Sequence, residues 1–530
     1  MIRGCQCIDK ALLGAFALVS MMVSASAVWA ADEAEIQKVI EFVKKHEKDG
    51  SVKPSGYGWI SADGESSVNL LGVIHFDARN IENGLASSQD KDSASGADNF
   101  EIRRARVGVN GTLYKDFDYE IITNLVGSST NTLLRAYVNY NASPGAQVRV
   151  GRFKQPFSLE ELTSVQGIDF MERSYGNQMV ASNRNGVMLH GAPIKGMTYA
   201  VSAYQDGFNE LSNTNQVGTL GAARITSNLA ELGGISDTVI HFGAAFDSGK
   251  YEVTPTTSTD TGSKSDSTTM FSRATILAFR SEDRGMANVY RAQVAGDVLK
   301  TYPGYGYAAN NNADISKNLQ GLEFAFAKGP FKFQTEYFDN KYSVSSTSCI
   351  DDAAAASCKY PAFDLKARAS YTELIYNITG ESWANAYKAG AFTSVKPKAN
   401  FNLGSGGGWG AWQVAIRYSD YKVTEPSYFS YSLDNSGVNT RTDTSNIKCT
   451  QAGTGSAGCA NGFSRGENAT GAGTWTLGLN WILNPNSRIM FNYADTNFNT
   501  PITYLSTSKP STLGTTTREQ IISVRTQLNF

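Results

Sequence analysis

Between residues 100 and 173 one physical pattern occurs four times and then stops. In FEIRRARVGVNG, residues 100–111, Ala105, Val107 and Val109 are apolar while Arg104, Arg106 and Asn110 are polar, the period of two of a strand with one apolar and one wet face. Arg103 breaks the pattern near the strand end. After a short LYKD turn, FDYEIITNLV sets Phe117, Tyr119, Ile121 and Leu125 against Asp118, Glu120 and Asn124. LLRAYVNYN sets Leu134, Ala136, Val138 and Tyr140 against Arg135, Tyr137 and Asn139, and QVRVG sets Val148 and Val150 against Gln147 and Arg149. A soluble sandwich also alternates, but its wet face tolerates any charge; here that face carries arginine repeatedly. Residues 151–186 show little alternation and read as a long loop folded into something.

The same alternation returns along the whole chain. SVNLLGVIHFDAR precedes the organising stretch. After the loop come NGVMLHGAPI, MTYAVSAYQDG, GAARITSN, DTVIHFGAAFDSG, MFSRATILAF, ANVYRAQVAGD, QGLEFAFAKG, FKFQTEYFDN, SYTELIYNIT, GAWQVAIRYSDYKV, TWTLGLNWIL, SRIMFNYADTNF and IISVRTQLNF. Short turns such as KGPF alternate with long polar inserts, the asymmetry of outer-membrane barrels with short periplasmic turns and long external loops. One connection departs from it: some thirty residues, 379–408, fall on the short-turn side, and a structureless stretch of that length calls for a function. The last strand puts Ile522, Val524, Thr526, Leu528 and Phe530 on one face and ends on an aromatic.

Length allows several domains, yet no linker divides the 530 residues, and 50 Gly, 25 Tyr and 26 Phe suit many strands joined by turns. Residues 1–30 read as a signal peptide, with Arg3 and Lys10 before the apolar run LLGAFALVSMMVSA and small residues Val28 and Ala30 at the cut site. Cleavage there removes Arg3, Lys10 and Asp9 from 47 basic and 49 acidic residues, leaving 45 against 48 and a net charge of −3. That balance points away from nucleic acid. No later run approaches 18 apolar residues, so only a closed barrel of strands could span a membrane. Residues 31–50 carry Ile36, Val39, Ile40 and Val43 at helical spacing; a short periplasmic helix and a frayed tail are equal readings. Cys349, Cys358, Cys449 and Cys459 remain after cleavage, and the local pairings Cys349–Cys358 and Cys449–Cys459 are favoured because each pair sits in its own polar insert.

Several motifs in order resemble the phosphate-selective porin family, the O and P type outer-membrane porins: FEIRRARVGVNGTLYKDFDYEI, GRFKQPFSLEELTS, FMERSYGNQMV, NITGESWANAY, GAWQVAIRYSDY and LGLNWILNPNSRIMFNYADTNF. The resemblance runs from residue 67 to the end. It implies an all-β transmembrane antiparallel barrel of 16 strands over residues 67–530, in a homotrimer in the Gram-negative outer membrane. The strand candidates above number 17 or 18, so one or two, foremost MFSRATILAF, belong to loops. The resemblance also implies that the loop after QVRVG and the 379–408 connection fold toward the pore, and that the Phe530 strand is read by the barrel assembly machinery.

With the apolar face to lipid, Arg104, Arg106, Arg135, Arg149, Arg224, Arg291, Arg417, Arg488, Arg525 and Lys332 point inward, ten cations against the five acids Asp118, Glu120, Glu323, Glu336 and Glu373. Such sorting draws small anions into a narrow low-dielectric passage, and the guanidinium fork suits oxyanions. The plainer alternative is that these arginines pair with the carboxylates and stiffen the wall. The constriction loop carries Arg173, Arg184 and Gln166. Phosphate-specific relatives place a lysine where Gln166 stands, and a denser arginine run where FRSEDRG leaves Arg280 and Arg284. Anion preference survives these departures better than strict phosphate specificity. The competing functions are a general diffusion porin of weak selectivity and, from other classes, an exported β-rich adhesin or an outer-membrane enzyme. His46, His75, His190 and His241 are scattered without metal spacing, no nucleophile elbow or phosphate-cradling loop occurs, and no cofactor is called for.

Overall fold

In the computed structural model the alternating segments close into one antiparallel barrel. It describes residues 52–82, 85–86, 99–126, 133–206, 218–253, 271–285, 289–297, 313–345, 347–348, 359–360, 363–404, 407–424, 432–433, 439–440, 463–506 and 513–530. The wall has 16 strands. They are β1 Ser67–Glu82, β2 Asn99–Leu113, β3 Phe117–Asn124, β4 Leu133–Ser143, β5 Ala146–Lys154, β6 Asn183–Gly191, β7 Met197–Asp206 and β8 Gly218–Asn228. The second half is β9 Thr238–Val253, β10 Ala313–Lys328, β11 Phe331–Val344, β12 Phe363–Asn377, β13 Ala411–Thr424, β14 Gly471–Asn484, β15 Ser487–Ser506 and β16 Leu513–Asn529. Each pairs with the next, and β16 returns to β1 from Gln520↔Glu82 to Asn529↔Val73, so the wall has no open edge.

Two of the alternating segments are not wall. MFSRATILAF and ANVYRAQVAGD form Phe271–Phe279 and Tyr290–Asp297, which pair with each other, and Tyr290–Asp297 pairs on its other side with Phe463–Asn468 in a separate three-stranded sheet. Alternation specifies a strand with two unlike faces but not the sheet it joins. Arg291 therefore lies on this sheet rather than on the barrel wall. The signal peptide, the helix expected within 31–50 and all four remaining cysteines lie outside the described residues.

The faces sort as alternation requires. Val138, Val150, Val201, Ile225, Leu322 and Leu477 are exposed on the outside, while His75, Asp77, Lys332, Asn340, Asn480 and Arg525 are buried on the inside. The tight connections use residues in the left-handed region: Tyr114 (φ 51°) and Lys115 (φ 66°) between β2 and β3, and Gly329 (φ 53°) before Pro330 in KGPF. At closure, Gly72 and Phe530 exchange both backbone hydrogen bonds, 2.8 and 3.1 Å. A Cβ on residue 72 would stand 2.0 Å from the Phe530 ring, so only glycine lets that aromatic lie across the seam.

Three segments return into the barrel and fill much of it. Residues 155–182 and the turn at 280–285 enter from the long-loop side, and residues 378–404 and 407–410 rise from the short-turn side. Apolar contacts hold them. Tyr421 of the wall stacks on Phe279 at 4.0 Å and meets Tyr175 edge-on at 4.9 Å. Leu159, Phe170, Trp383 and Phe392 share a second buried cluster. The long connection thus has structure of its own, a hairpin of Tyr387–Lys388 with Ala391–Phe392.

Candidate pore and its charged lining

Many of the anchors of the inward loop at 155–182 lie on one half of the wall. Ser158 accepts from the Glu161 amide at 3.1 Å and caps the single helical turn Leu159–Leu162. The Glu336 carboxyl on β11 accepts from the Leu159 and Glu160 amides at 2.9 and 2.8 Å, and so ties the otherwise unpaired amides of the helix start to the wall. On β13, Arg417 reaches the Glu160 carboxylate at 3.1 Å and the Glu172 carbonyl at 2.9 Å, with its guanidinium 4.4 Å over the Phe170 ring. Asn480 on β14 donates to the Asp169 carbonyl at 2.8 Å, and Arg488 on β15 to that of Ile168 at 2.9 Å. Lys332 pairs with Asp169 at 2.5 Å beneath Trp383 and Phe392. All these anchors lie on β11–β16. The free space is opposite: a cavity of about 430 Å³ is lined by β4–β8 together with Leu162, Ala389 and Ala391.

Where loop and wall meet again, one carboxylate gathers four arginines. Glu172 accepts two bonds from Arg103, 2.8 and 3.1 Å, and one from Arg525 at 3.1 Å, with Arg104 and Arg79 each 3.6 Å away. Asp77 takes Arg525 at 2.6 and 2.7 Å and Arg79 at 2.6 Å. Burial opposes ionisation of Glu172, but Arg103, Arg104 and Arg525 outweigh it and hold the carboxyl well below its usual range. The break in alternation at Arg103 acquires a cause here: the β1–β2 register shifts between His75 and Phe76, and the extra residue brings both Arg103 and Arg104 to Glu172.

The 280–285 turn adds two more guanidiniums. Arg284, in the left-handed region at φ 66°, is pushed down to about 10 by burial and by Arg103, against Glu172, with Arg280 and Arg79 adding to the shift. Asp283 is raised to about 6 by burial, against Arg79 and a hydrogen bond from Ser523. The guanidiniums of Arg79, Arg103, Arg104, Arg280, Arg284 and Arg525 thus share this region with the carboxylates of Asp77, Glu101, Glu172, Asp283 and Glu519, with Arg106 adjoining, while Glu282 of the same turn faces Arg417.

The residues singled out from sequence divide by what they touch. Arg104, Arg135, Arg417, Arg525 and Lys332 each stand against a carboxylate, Arg135 against Glu120 at 3.0 Å. Arg224 is doubly bonded to Glu323 at 2.8 and 2.6 Å. Arg488 uses carbonyls and Gln527, and Arg173 binds the carbonyls of its own loop at Glu160 (3.0 Å) and Thr163 (2.8 Å). Arg106 and Arg149 have no carboxylate partner among the described residues; Arg149 lies 4.2 Å over the Tyr137 ring and donates to Asn139 at 3.2 Å. Arg184 does not belong to the inward loop: it is the second residue of β6 and bonds Asp206 at 2.6 Å. Gln166 stays on the loop, its carbonyl accepting from Gln527 at 3.3 Å. The alternation His75, Asp77, Arg79 in β1 adds one acid and one arginine to the inward charges legible in sequence. Glu172 as a hub was not readable, because its four partners come from β1, β2 and β16.

A family model for phosphate-selective porin O and P matches residues 68–530. Porin O of Pseudomonas aeruginosa is 28% identical over 339 residues, 62% of this chain and 68% of that protein. Among solved structures, the outer membrane channel DcaP of Acinetobacter baumannii aligns over 90% of this chain and 100% of its own, with 11% identity and a TM-score of 0.44. The anion-selective porin from Comamonas acidovorans aligns over 88% and 100%, with 12% identity and a TM-score of 0.42. The barrel rests on its own strand pairings. Since the family match spans the barrel from its first strand to Phe530, the chain belongs to the phosphate-selective porin O and P family and is an outer-membrane porin.

Proposed function

We propose that the protein lets small anions, phosphate among them, diffuse passively across the outer membrane, as one member of a homotrimer. The observation that carries this reading is that, among the described residues, Arg106 and Arg149 stand in the lumen without an acidic partner, beside a Glu172 region rich in guanidinium. An anion entering from the loop side would meet Arg280, Arg284 and Arg103, then Arg106, then Arg135 and Arg149. At each point a fixed cation replaces part of its lost hydration, and no point holds it with all guanidiniums at once, because most are already engaged. Attraction strong enough to admit an ion and divided enough to release it is what conduction requires.

A general diffusion porin of weak selectivity is the second reading. It draws support from the engagement of Arg104, Arg135, Arg417 and Arg525 by carboxylates, and from Gln166 in place of a lysine. Proteoliposomes carrying the purified protein separate the two. The anion reading expects chloride and phosphate to enter faster than potassium and faster than a neutral sugar of similar size. Equal entry of all four would hand the function to general diffusion.

A further inference from the structure

The cavity of about 430 Å³ between β4–β8 and the inward loop has a lining unlike that of the Glu172 region. We propose that it binds a small organic monoanion, a carboxylate on an aromatic or apolar body, in preference to inorganic phosphate. The proposal rests on the anion-porin reading and adds the ligand class to it.

Among the described residues four cations reach the cavity and no carboxylate lines it. Three of the four are already engaged. Arg224 is bidentate on Glu323, Arg135 pairs with Glu120 at 3.0 Å, and Lys154 donates to the Glu161 and Thr163 carbonyls and lies 3.7 Å from the Glu161 carboxylate. Arg149 alone keeps most of its fork unclaimed. It is oriented by Asn139, which is held in turn by a 2.7 Å bond to His190, and by the Tyr137 ring beneath it. One planar fork matches one carboxylate in two parallel hydrogen bonds.

The rest of the lining is mixed: Gln147, His190, Thr198 and Tyr199 are polar but already bond Asn139, Asn139, Thr226 and Gly145 respectively. Phe153, Leu162, Met188 and the Ala389–Ala391 turn present carbon, and a hydrated phosphate placed against them would lose water bonds without replacement. A ring or short alkyl body loses nothing there and removes apolar surface from water. The volume falls in the range of pockets that take small organic molecules and is far above what a single phosphate fills.

The test is block of single-channel chloride current in planar bilayers at constant ionic strength, with benzoate, acetate and inorganic phosphate titrated separately. The expected order is benzoate first, at a concentration at least about tenfold below that of phosphate, with acetate weaker than benzoate because it has the charge without the ring. Arg149→Gln should remove the benzoate block, and Arg149→Lys, which keeps the charge and loses the fork, should weaken it. Phosphate blocking at or below the benzoate concentration overturns the proposal, as does benzoate block that survives Arg149→Gln. If the Gln variant fails to assemble, the order of the three anions on the unmodified channel still decides. The reversal potential of the same channels separates this failure from that of the parent reading: anion preference without benzoate block sinks the site alone.

Discussion

Replacing Arg106 with glutamine isolates the electrostatic contribution of one lumen charge. Arg106 has no carboxylate partner among the described residues, so its removal strands no buried acid, and thermal stability should change little. The cost should fall on selectivity. A unit charge about 7 Å from a passing ion contributes about 0.6 kcal/mol at the dielectric of water, and 0.1 M salt reduces that by about half. Chloride loses this attraction while potassium is relieved of an equal repulsion, so the permeability ratio shifts by about 0.6 kcal/mol, or about threefold at about 1.4 kcal/mol per decade. At 0.01 M salt the shift grows to about fivefold, and at 1 M it nearly vanishes. Zero-current potentials of wild-type and variant channels under a potassium chloride gradient, repeated at the three mean concentrations, measure it. A ratio that does not move at 0.01 M would show that Arg106 is neutralised by something else and that the unpaired cations do not set selectivity.

The hub carboxylate gives the opposite sign. Glu172→Gln removes a negative charge from among Arg79, Arg103, Arg104 and Arg525, so anion preference should rise, while loss of a buried ion-pair partner costs about 3–5 kcal/mol of loop anchoring, seen as faster protease nicking within 155–182. Asp283, raised to about 6, is charged at pH 7 and loses its charge as pH falls through that value, so anion preference should increase between pH 7 and pH 5, and Asp283→Asn should flatten the profile. Because its folded-state value is raised, any stability it contributes belongs to the protonated form, present at low pH and lost as pH rises through about 6. Deleting Phe530 removes two backbone bonds to Gly72 and the ring over the seam, so heat-resistant folded barrels should become scarce in purified outer membranes; normal yield would remove Phe530 from assembly.

The wall was legible because lipid on one side and water on the other impose a period of two that the side chains must obey. The legibility ended where that constraint ends. Phe271–Phe279 and Tyr290–Asp297 alternate like wall strands, and only the pairing of Tyr290–Asp297 with Phe463–Asn468, far along the chain, reveals a different sheet. Arg103 was visible as an irregularity but not as a bulge, since a bulge is defined by the partner strand. The charges were readable by face and not by partner. Alternation put Arg417 and Arg525 inward with Arg106 and Arg149, yet the first two clamp the inward loop and the second two do not, because Glu160 and Glu172 arrive from a segment without periodicity. The inward fold of residues 378–404 and 407–410 came from resemblance, and its physical basis, Trp383 and Phe392 buried over Lys332, became apparent only in three dimensions.

The central claim is that lumen arginines in excess of their carboxylates make this barrel an anion pore although the whole chain is slightly acidic. The most direct test is the sign of the zero-current potential for the purified wild-type protein in a planar bilayer across an about tenfold potassium chloride gradient at neutral pH. The account predicts a potential of the sign set by chloride, growing as the mean salt concentration is lowered. A potential of the opposite sign, or one near zero even at low salt, would contradict it.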